Sequence, residues 1–219
     1  MLSNQAKILA QQLRTPKGKE GIAVGESMFQ TNLSMIRHAV HHLDIQPKDS
    51  LLEIGHGNGR HVSEVLQSTP QFHYTGLEIS PIMHQQAEQH NSIWIENQQA
   101  SFHLYDGKTL PFDSANFDKI FTVNTIYFWD QPLMFLKEMH RVLKQHGRLC
   151  ITYGTKEYLE KMPFSQYEFQ LYSPQEFDDL IDRAGFKKIE QHLVNERVPS
   201  KTHDGHIDRT FATSILMKV

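Results

Sequence analysis

"LLEIGHGNGRHV", Leu51 to Val62, joins an apolar run to three glycines on alternate positions, Gly55, Gly57 and Gly59. The run "SLLEI" from Ser50 to Ile54 has the length of a buried strand and stops at glycine. Glycines at the carboxyl end of a first strand let the backbone turn tightly and approach a ligand. The helix that follows offers free amides at its N-terminus. Together these describe a nucleotide-type cofactor site. A dinucleotide fingerprint wants glycines at i, i+2 and i+5, which from Gly55 fall on Gly57 and Arg60. The third glycine is Gly59, one residue early, and this disfavours a nicotinamide oxidoreductase.

Outward from that stretch, strand and helix signals alternate. A helix is expected from near Asn58, burying Val62, Val65 and Leu66. "FHYTGLEI" reads as a second strand, and Ser80 caps a helix whose first residue is Pro81. That helix is expected to run to about Gln98, since a crossover must precede the next strand, "SFHLYD". "FDKIFTVN" is a fourth strand. Asp130 is expected to cap a helix carrying Phe135, Leu136, Met139, Val142 and Leu143, and "GRLCITY" makes a fifth strand. Ser173, Pro174 and Glu176 form a capping box, and Gly185 can end that helix. The strand "FKKIEQHLV", a polar loop from about Asn195 to Asp208 and the strand "RTFATSILMKV" complete the chain. With no helix between them, the last two strands should pair antiparallel.

This pattern is that of an α/β fold, a Rossmann-like sheet with helices on both faces. One domain is expected, in three parts. Residues 1–49, with the helical face Leu33, Ile36, Val40 and Leu43, form an N-terminal helical cap or lid. Residues 50–153 form the cofactor-binding core. Residues 154–219 form a substrate-side insertion, a C-terminal helix and two strands.

Composition excludes several functions. The 219 residues are 39% hydrophobic and carry a formal charge of -3, giving no basic field for nucleic acid. No apolar stretch is long enough to span a bilayer. The single cysteine, Cys150, can form no intramolecular disulfide, and the N-terminus lacks an apolar signal core. A reducing compartment, most simply the cytoplasm, is expected. Monomer and homodimer stay open.

Glu78 ends the second strand, where a carboxylate can accept hydrogen bonds from ribose hydroxyls. Asp106 ends the third, where it could accept a proton from an adenine amino group. An isolated acid would be read as a solvated loop residue. Here the acids follow the glycine turn at successive strand ends, along one rim.

With these residues in hand, the sequence resembles the class I S-adenosylmethionine-dependent methyltransferases, particularly the small-molecule branch related to quinone-biosynthesis C-methyltransferases. "LLEIGHGNG" is similar to the family's first motif and "GLEIS" to its second. "DGKTLPFDSANFDKIF", "EMHRVLKQHGRLCIT" and "YSPQEFDDLIDRAGF" match later ones. The departure is Gly107, where the family often has alanine. The resemblance implies a seven-stranded, mostly parallel sheet of order 3-2-1-4-5-7-6 with the last strand reversed. It also implies that S-adenosyl-L-methionine is the cofactor and S-adenosyl-L-homocysteine the product. Glu53, Gly55, Gly57 and Gly59 would then hold the methionine end, Glu78 and Ile79 the ribose and one adenine face, and Asp106 and Gly107 the adenine edge. Asn124 would lie beside the sulfonium through its backbone.

Methyl transfer from a sulfonium needs in-line approach in a dry pocket and no metal, with a base only for an alcohol, phenol or carbon acid. The expected partner is a small-molecule acceptor. Tyr127 and Trp129, just after the fourth strand, are the leading substrate-pocket residues, and Phe164 is a further one. Tyr127, His203 and His206 are the catalytic candidates, the two histidines because their loop opens on the active rim. His56, inside the glycine turn, either contacts the cofactor or fills a gap beside the sheet. Among 14 histidines, His38, His41 and His42 share one helical side, but no HExxH and no cysteine pair accompanies them. They read as a solvated face, with no metal expected. Mid-strand Cys150 argues against a cytosine C5-methyltransferase, and "NTIY" lacks the prolines of the amino-methylating "NPPY" motif. The alternative to an enzyme is a non-catalytic relative that binds the cofactor or a partner through the same fold.

Overall fold

Successive residues of the first strand, β1 (Ser50–Ile54), face opposite ways, and both ways are apolar. Leu51 packs with Tyr74 and Phe121 on one side, and Leu52 and Ile54 pack with Ile120, Leu149 and Ile151 on the other. A strand apolar on both faces belongs in the middle of a sheet covered by helices. The computed structural model, which describes residues 2–69, 71–199 and 205–219, places it there. β2 (His73–Glu78), β3 (Ala100–Leu104), β4 (Phe117–Val123), β5 (Leu143–Gly154), β6 (Phe186–Pro199) and β7 (His206–Lys218) complete a sheet of order β3-β2-β1-β4-β5-β7-β6. β1 runs parallel to β2 and β4, with Glu53 opposite Gly76 and Phe121. β7 runs antiparallel to both β5 and β6. The order implied by the resemblance is therefore the observed one.

Eight α-helices cover this sheet among the described residues: α1 (Leu2–Arg14), α2 (Gly18–Leu43), α3 (Val62–Ser68), α4 (Pro81–His90), α5 (Ser92–Glu96), α6 (Pro132–Val142), α7 (Lys156–Leu159) and α8 (Pro174–Ala184). α6 and α8 bury Phe135, Leu136, Met139, Phe177 and Ile181 on the face that holds Leu52. α2 and α3 bury Met35, Ile36, Ala39, Leu43, Val65 and Leu66 on the face that holds Leu51. Each of the larger of these side chains contributes about 1.5–3 kcal/mol when fully buried, so the sheet is fixed by both layers. The capping box of α8 forms as expected: Glu176 N donates to Ser173 Oγ at 3.3 Å, and Ser173 N donates to Glu176 Oε2 at 2.7 Å. Gly185, at φ +87°, ends that helix.

Four boundaries differ from the sequence reading. The helix after the glycine turn begins at Val62 rather than near Asn58, because the intervening residues are spent on turns, with Gly59 N donating to His56 O and Val62 N to Gly59 O. The helix expected to reach Gln98 breaks at Asn91. The Asn91 amide donates to Ala87 O at 2.8 Å and Gly59 O at 2.9 Å, tying the break to the glycine turn. Asp130 does not cap α6, which starts at Pro132 after Gln131. The Asp130 carboxylate accepts from Arg14 at 2.6 Å instead. Finally, most of the polar loop expected from Asn195 to Asp208 is strand. Glu196 pairs across the ladder with Arg209, and Asn195 with Thr210, so polar side chains meet one another along an extended hairpin. Among the described residues no helix is long and apolar enough to cross a membrane.

Candidate active site

The turn after β1 passes through three left-handed residues, Gly55 (φ +80°), Gly57 (φ +58°) and Gly59 (φ +66°). α4 clamps it from outside: the His90 ring donates to Asn58 O at 2.9 Å, beside the Asn91 bond to Gly59 O. Gly59 must lack a side chain for a second reason, since an added Cβ would stand 2.7 Å from Ala87 Cβ. At Gly57 an added Cβ would meet nothing within 4 Å. Gly57 forms part of the wall of a cleft at the carboxyl edge of the sheet. The turn is thus packed on one side and open on the other.

Asp130, paired with Arg14, borders the same cleft, and so do three carboxylates at or near the ends of β1, β2 and β3: Glu53, Glu78 and Asp106. Each is held differently. Buried Glu53 accepts on Oε2 from Tyr74 Oη at 2.5 Å and from His61 Nε2 at 2.7 Å. Buried Glu78 accepts on Oε1 from Ile79 N at 2.8 Å and Ser80 N at 2.9 Å, and on Oε2 from Gly57 N at 2.9 Å. A carboxylate offers roughly four acceptor positions, so main-chain bonds leave Glu78 one for a ligand hydroxyl rather than two. Burial pushes its carboxyl above the ordinary range against the pull of those amides. Asp106 is exposed, and its Oδ1 accepts from Thr109 N at 2.9 Å and Lys108 N at 2.8 Å, which holds it below the usual carboxylate range. Ile79 and Gly107 complete that end of the cleft, packed so closely that a Cβ on Gly107 would sit 3.3 Å from Ile79 Cγ2.

Of the two roles considered for His56, the structure displays the gap-filling one. Its ring lies edge-on to Phe102 at 5.1 Å and over Gly76, filling the space beside the sheet, and it also borders the cleft. Nδ1 donates to Gly57 O at 2.8 Å, and burial pushes the imidazole down to about 4, so it is neutral at physiological pH.

A second, more apolar pocket adjoins the first and shares Leu13, Met28, Asn32, Asn124 and Phe128 with it. Asn124, at φ +57°, stands between the two. Its amide donates to Asn32 Oδ1 at 3.1 Å and its Oδ1 accepts from Tyr127 Oη at 3.0 Å. Tyr127 is buried, with its hydroxyl engaged by Asn124 and by the Gly154 peptide. Burial raises that phenol far above its ordinary value, so it remains a neutral hydroxyl. Tyr127 and Phe164 border the second pocket, and Trp129 borders the first. His206 is exposed, pairs with Pro199 and borders neither. His203 lies outside the described residues.

The largest contribution that sequence reasoning missed comes from the first two helices. Arg14, Pro16, Gly25, Met28, Phe29 and Asn32 all border the first cleft. Arg14 bridges Asp130 at 2.6 Å and Glu168 at 3.0 Å, fastening the end of α1 across the rim. Ser80 Oγ donates to Pro16 O at 2.6 Å, tying the same segment to α4. Amphipathic spacing marks the buried face of α2, but no motif marks the face turned to the cleft.

Comparison with known proteins agrees with this geometry. A family profile described as "Methyltransferase domain" matches residues 52–151. "Uncharacterized methyltransferase YdaC" of Bacillus subtilis is 26% identical over 135 residues, covering 61% of this chain and 71% of that protein. "Uncharacterized protein MJ1123" of Methanocaldococcus jannaschii is 30% identical over 152 residues, covering 65% of this chain and 67% of that one. Among solved structures, a chain of the complex between the Haloferax volcanii Trm112 methyltransferase activator and a putative methyltransferase superposes with a TM-score of 0.75. It is 19% identical, over 88% of this chain and 92% of that chain.

Proposed function

The chain belongs to the class I S-adenosylmethionine-dependent methyltransferases, and on that premise we propose that it moves a methyl group from S-adenosylmethionine to a small, largely apolar acceptor. The observation that carries this reading is the pair of adjoining cavities. One is bordered by the glycine turn, Glu53, Glu78 and Asp106. The other is bordered by Tyr127, Phe128, Leu159, Met162, Phe164 and Phe169, and the two share the wall of Asn32 and Asn124.

In this proposal the adenosyl and methionyl parts occupy the first cavity. The open side of Gly57 admits the close approach, the remaining acceptor position on Glu78 takes one ribose hydroxyl, and Asp106 Oδ2 faces the adenine edge. The sulfonium methyl points across Asn124 into the second cavity. Apolar walls exclude water there, and the reaction is an in-line displacement in which the acceptor's electron pair forms the new bond as the carbon–sulfur bond breaks. Among the described residues no carboxylate or imidazole borders the second cavity. On this reading the acceptor brings its own nucleophile and the described wall contributes positioning.

Incubation of the purified chain with methyl-labelled S-adenosylmethionine and a cell metabolite extract tests the reading. Transfer of label to an apolar metabolite, abolished by filling the second pocket with Gly154→Trp, is expected. Label retained wholly on the cofactor would refute transfer and leave the cofactor-binding, non-catalytic alternative. The structural likeness to a chain from a complex with a methyltransferase activator supports a second reading, in which a protein partner is needed for activity. Label transfer in extract that the purified chain cannot reproduce with the isolated metabolite would favour it.

A further inference from the structure

Four imidazoles collect where the C-terminal end of α2 meets β6. His38, His41 and His42 come from the helix and His192 from the strand. The His42 and His192 rings stack with centroids 4.0 Å apart and planes at 26°, while His38 and His41 lie 4.5 Å and 5.0 Å from His42. Glu190, two positions before His192 and so on the same side of β6, brings Oε2 to 3.0 Å from His192 Nε2. One donor atom each from His42, Glu190 and His192 all lie within 4.8 Å of one another. The sequence could not show this set, because the helical histidines and the strand residues meet only through the sheet order. His38 is turned elsewhere, with Nδ1 3.1 Å from Thr213 Oγ1.

We propose that His42, Glu190 and His192 bind one transition-metal ion of the zinc, cobalt, nickel or copper type. Imidazole and carboxylate together suit these ions, and geometry rather than raw affinity selects among them. In a tetrahedral zinc site with bonds of about 2.0–2.1 Å, ligand atoms stand about 3.4 Å apart. Closing the set from at most 4.8 Å takes side-chain rotation, which the half-buried histidines and exposed Glu190 permit. Water completes the coordination. The ion would fasten the end of α2 to the edge strand of the sheet. Earlier turns of the same helix border the cofactor cleft, so the ion acts as a staple behind the cleft and takes no part in the chemistry.

The test uses untagged, chelator-treated full-length protein, titrated with zinc against a chromophoric chelator and with cobalt followed by its visible absorption. One equivalent of zinc is expected, together with a rise in melting temperature and a four- or five-coordinate cobalt spectrum. His192→Ala and His42→Ala should each weaken zinc at least about tenfold while the circular dichroism stays unchanged. Two results overturn the proposal: no binding at about 0.1 mM zinc, or stoichiometric binding that both substitutions leave intact.

Discussion

Alanine at two neighbouring glycines should fail in two different ways. Gly57 sits at φ +58° with open space where a Cβ would stand, on the wall of the first cleft. The left-handed conformation alone costs a non-glycine residue about 1 kcal/mol. For a chain of this size that lowers the melting temperature by about 2–4 °C. The added methyl would instead obstruct the cofactor, and affinity for S-adenosylhomocysteine should fall at least about tenfold, or about 1.4 kcal/mol. Gly59 has the same backbone cost at φ +66°, but its Cβ would stand 2.7 Å from Ala87 Cβ and 3.0 Å from both Ala87 Cα and Asn91 Nδ2. Those atoms belong to the end of α4 and to the residue that clamps the turn, so they cannot swing aside. Overpacking of this kind adds about 1–3 kcal/mol, and the total of about 2–4 kcal/mol corresponds to roughly 4 to 15 °C. Scanning fluorimetry of both variants, with calorimetric titration of Gly57→Ala, decides the matter. Equal losses of stability at the two positions, or wild-type cofactor affinity in Gly57→Ala, would refute the division of the turn into a packed and an open side.

Three other outcomes follow from the site. Glu78→Gln keeps the shape but turns an amide NH2 toward at least one of the three main-chain donors, at 2.8–2.9 Å, so it should lose about 2 kcal/mol of stability as well as cofactor affinity; an unchanged urea midpoint would remove Glu78 from its role in holding the loop. His56 takes a proton near 6.5 when unfolded but only at about 4 when folded, because burial strips its cation of water. Between those values the unfolded chain holds the extra proton, so stability is full above 6.5 and falls by about 3 kcal/mol as pH drops towards 4. Urea melts should show a shallower acid loss in His56→Gln than in the wild type, and parallel curves would contradict this. Burial pushes the Cys150 thiol up to about 12, so iodoacetamide should label it only in denaturant; rapid labelling of the native chain, read by mass spectrometry, would contradict the full burial of Cys150 within β5.

The sheet was legible because its strands carry local signals. Apolar runs end at Gly55, Glu78 and Asn124, and helix starts are marked at Ser80–Pro81 and by the Ser173 box, so strand order followed once the family resemblance was seen. Glu53, Glu78 and Asp106 were legible for the same reason, each standing at or near a strand end. What was not legible depends on contacts between distant segments. Nothing local tells that Asp130 will prefer Arg14 to its own helix, or that Asn195 and Glu196 will find Thr210 and Arg209 across a hairpin. Nor does the sequence show which face of α2 turns to the cleft, since Met28 and Asn32 differ in polarity yet border both cavities. The three helical histidines read as a solvated face until the sheet brought His192 against them.

The central claim is that the glycine turn and three carboxylates along one border of the sheet hold an adenosyl sulfur compound. Isothermal titration of the chain with S-adenosylhomocysteine, run beside an identical titration with NAD, measures it most directly. Single-site binding of the first and no heat from the second is the predicted result. Binding of NAD with no response to S-adenosylhomocysteine would contradict it.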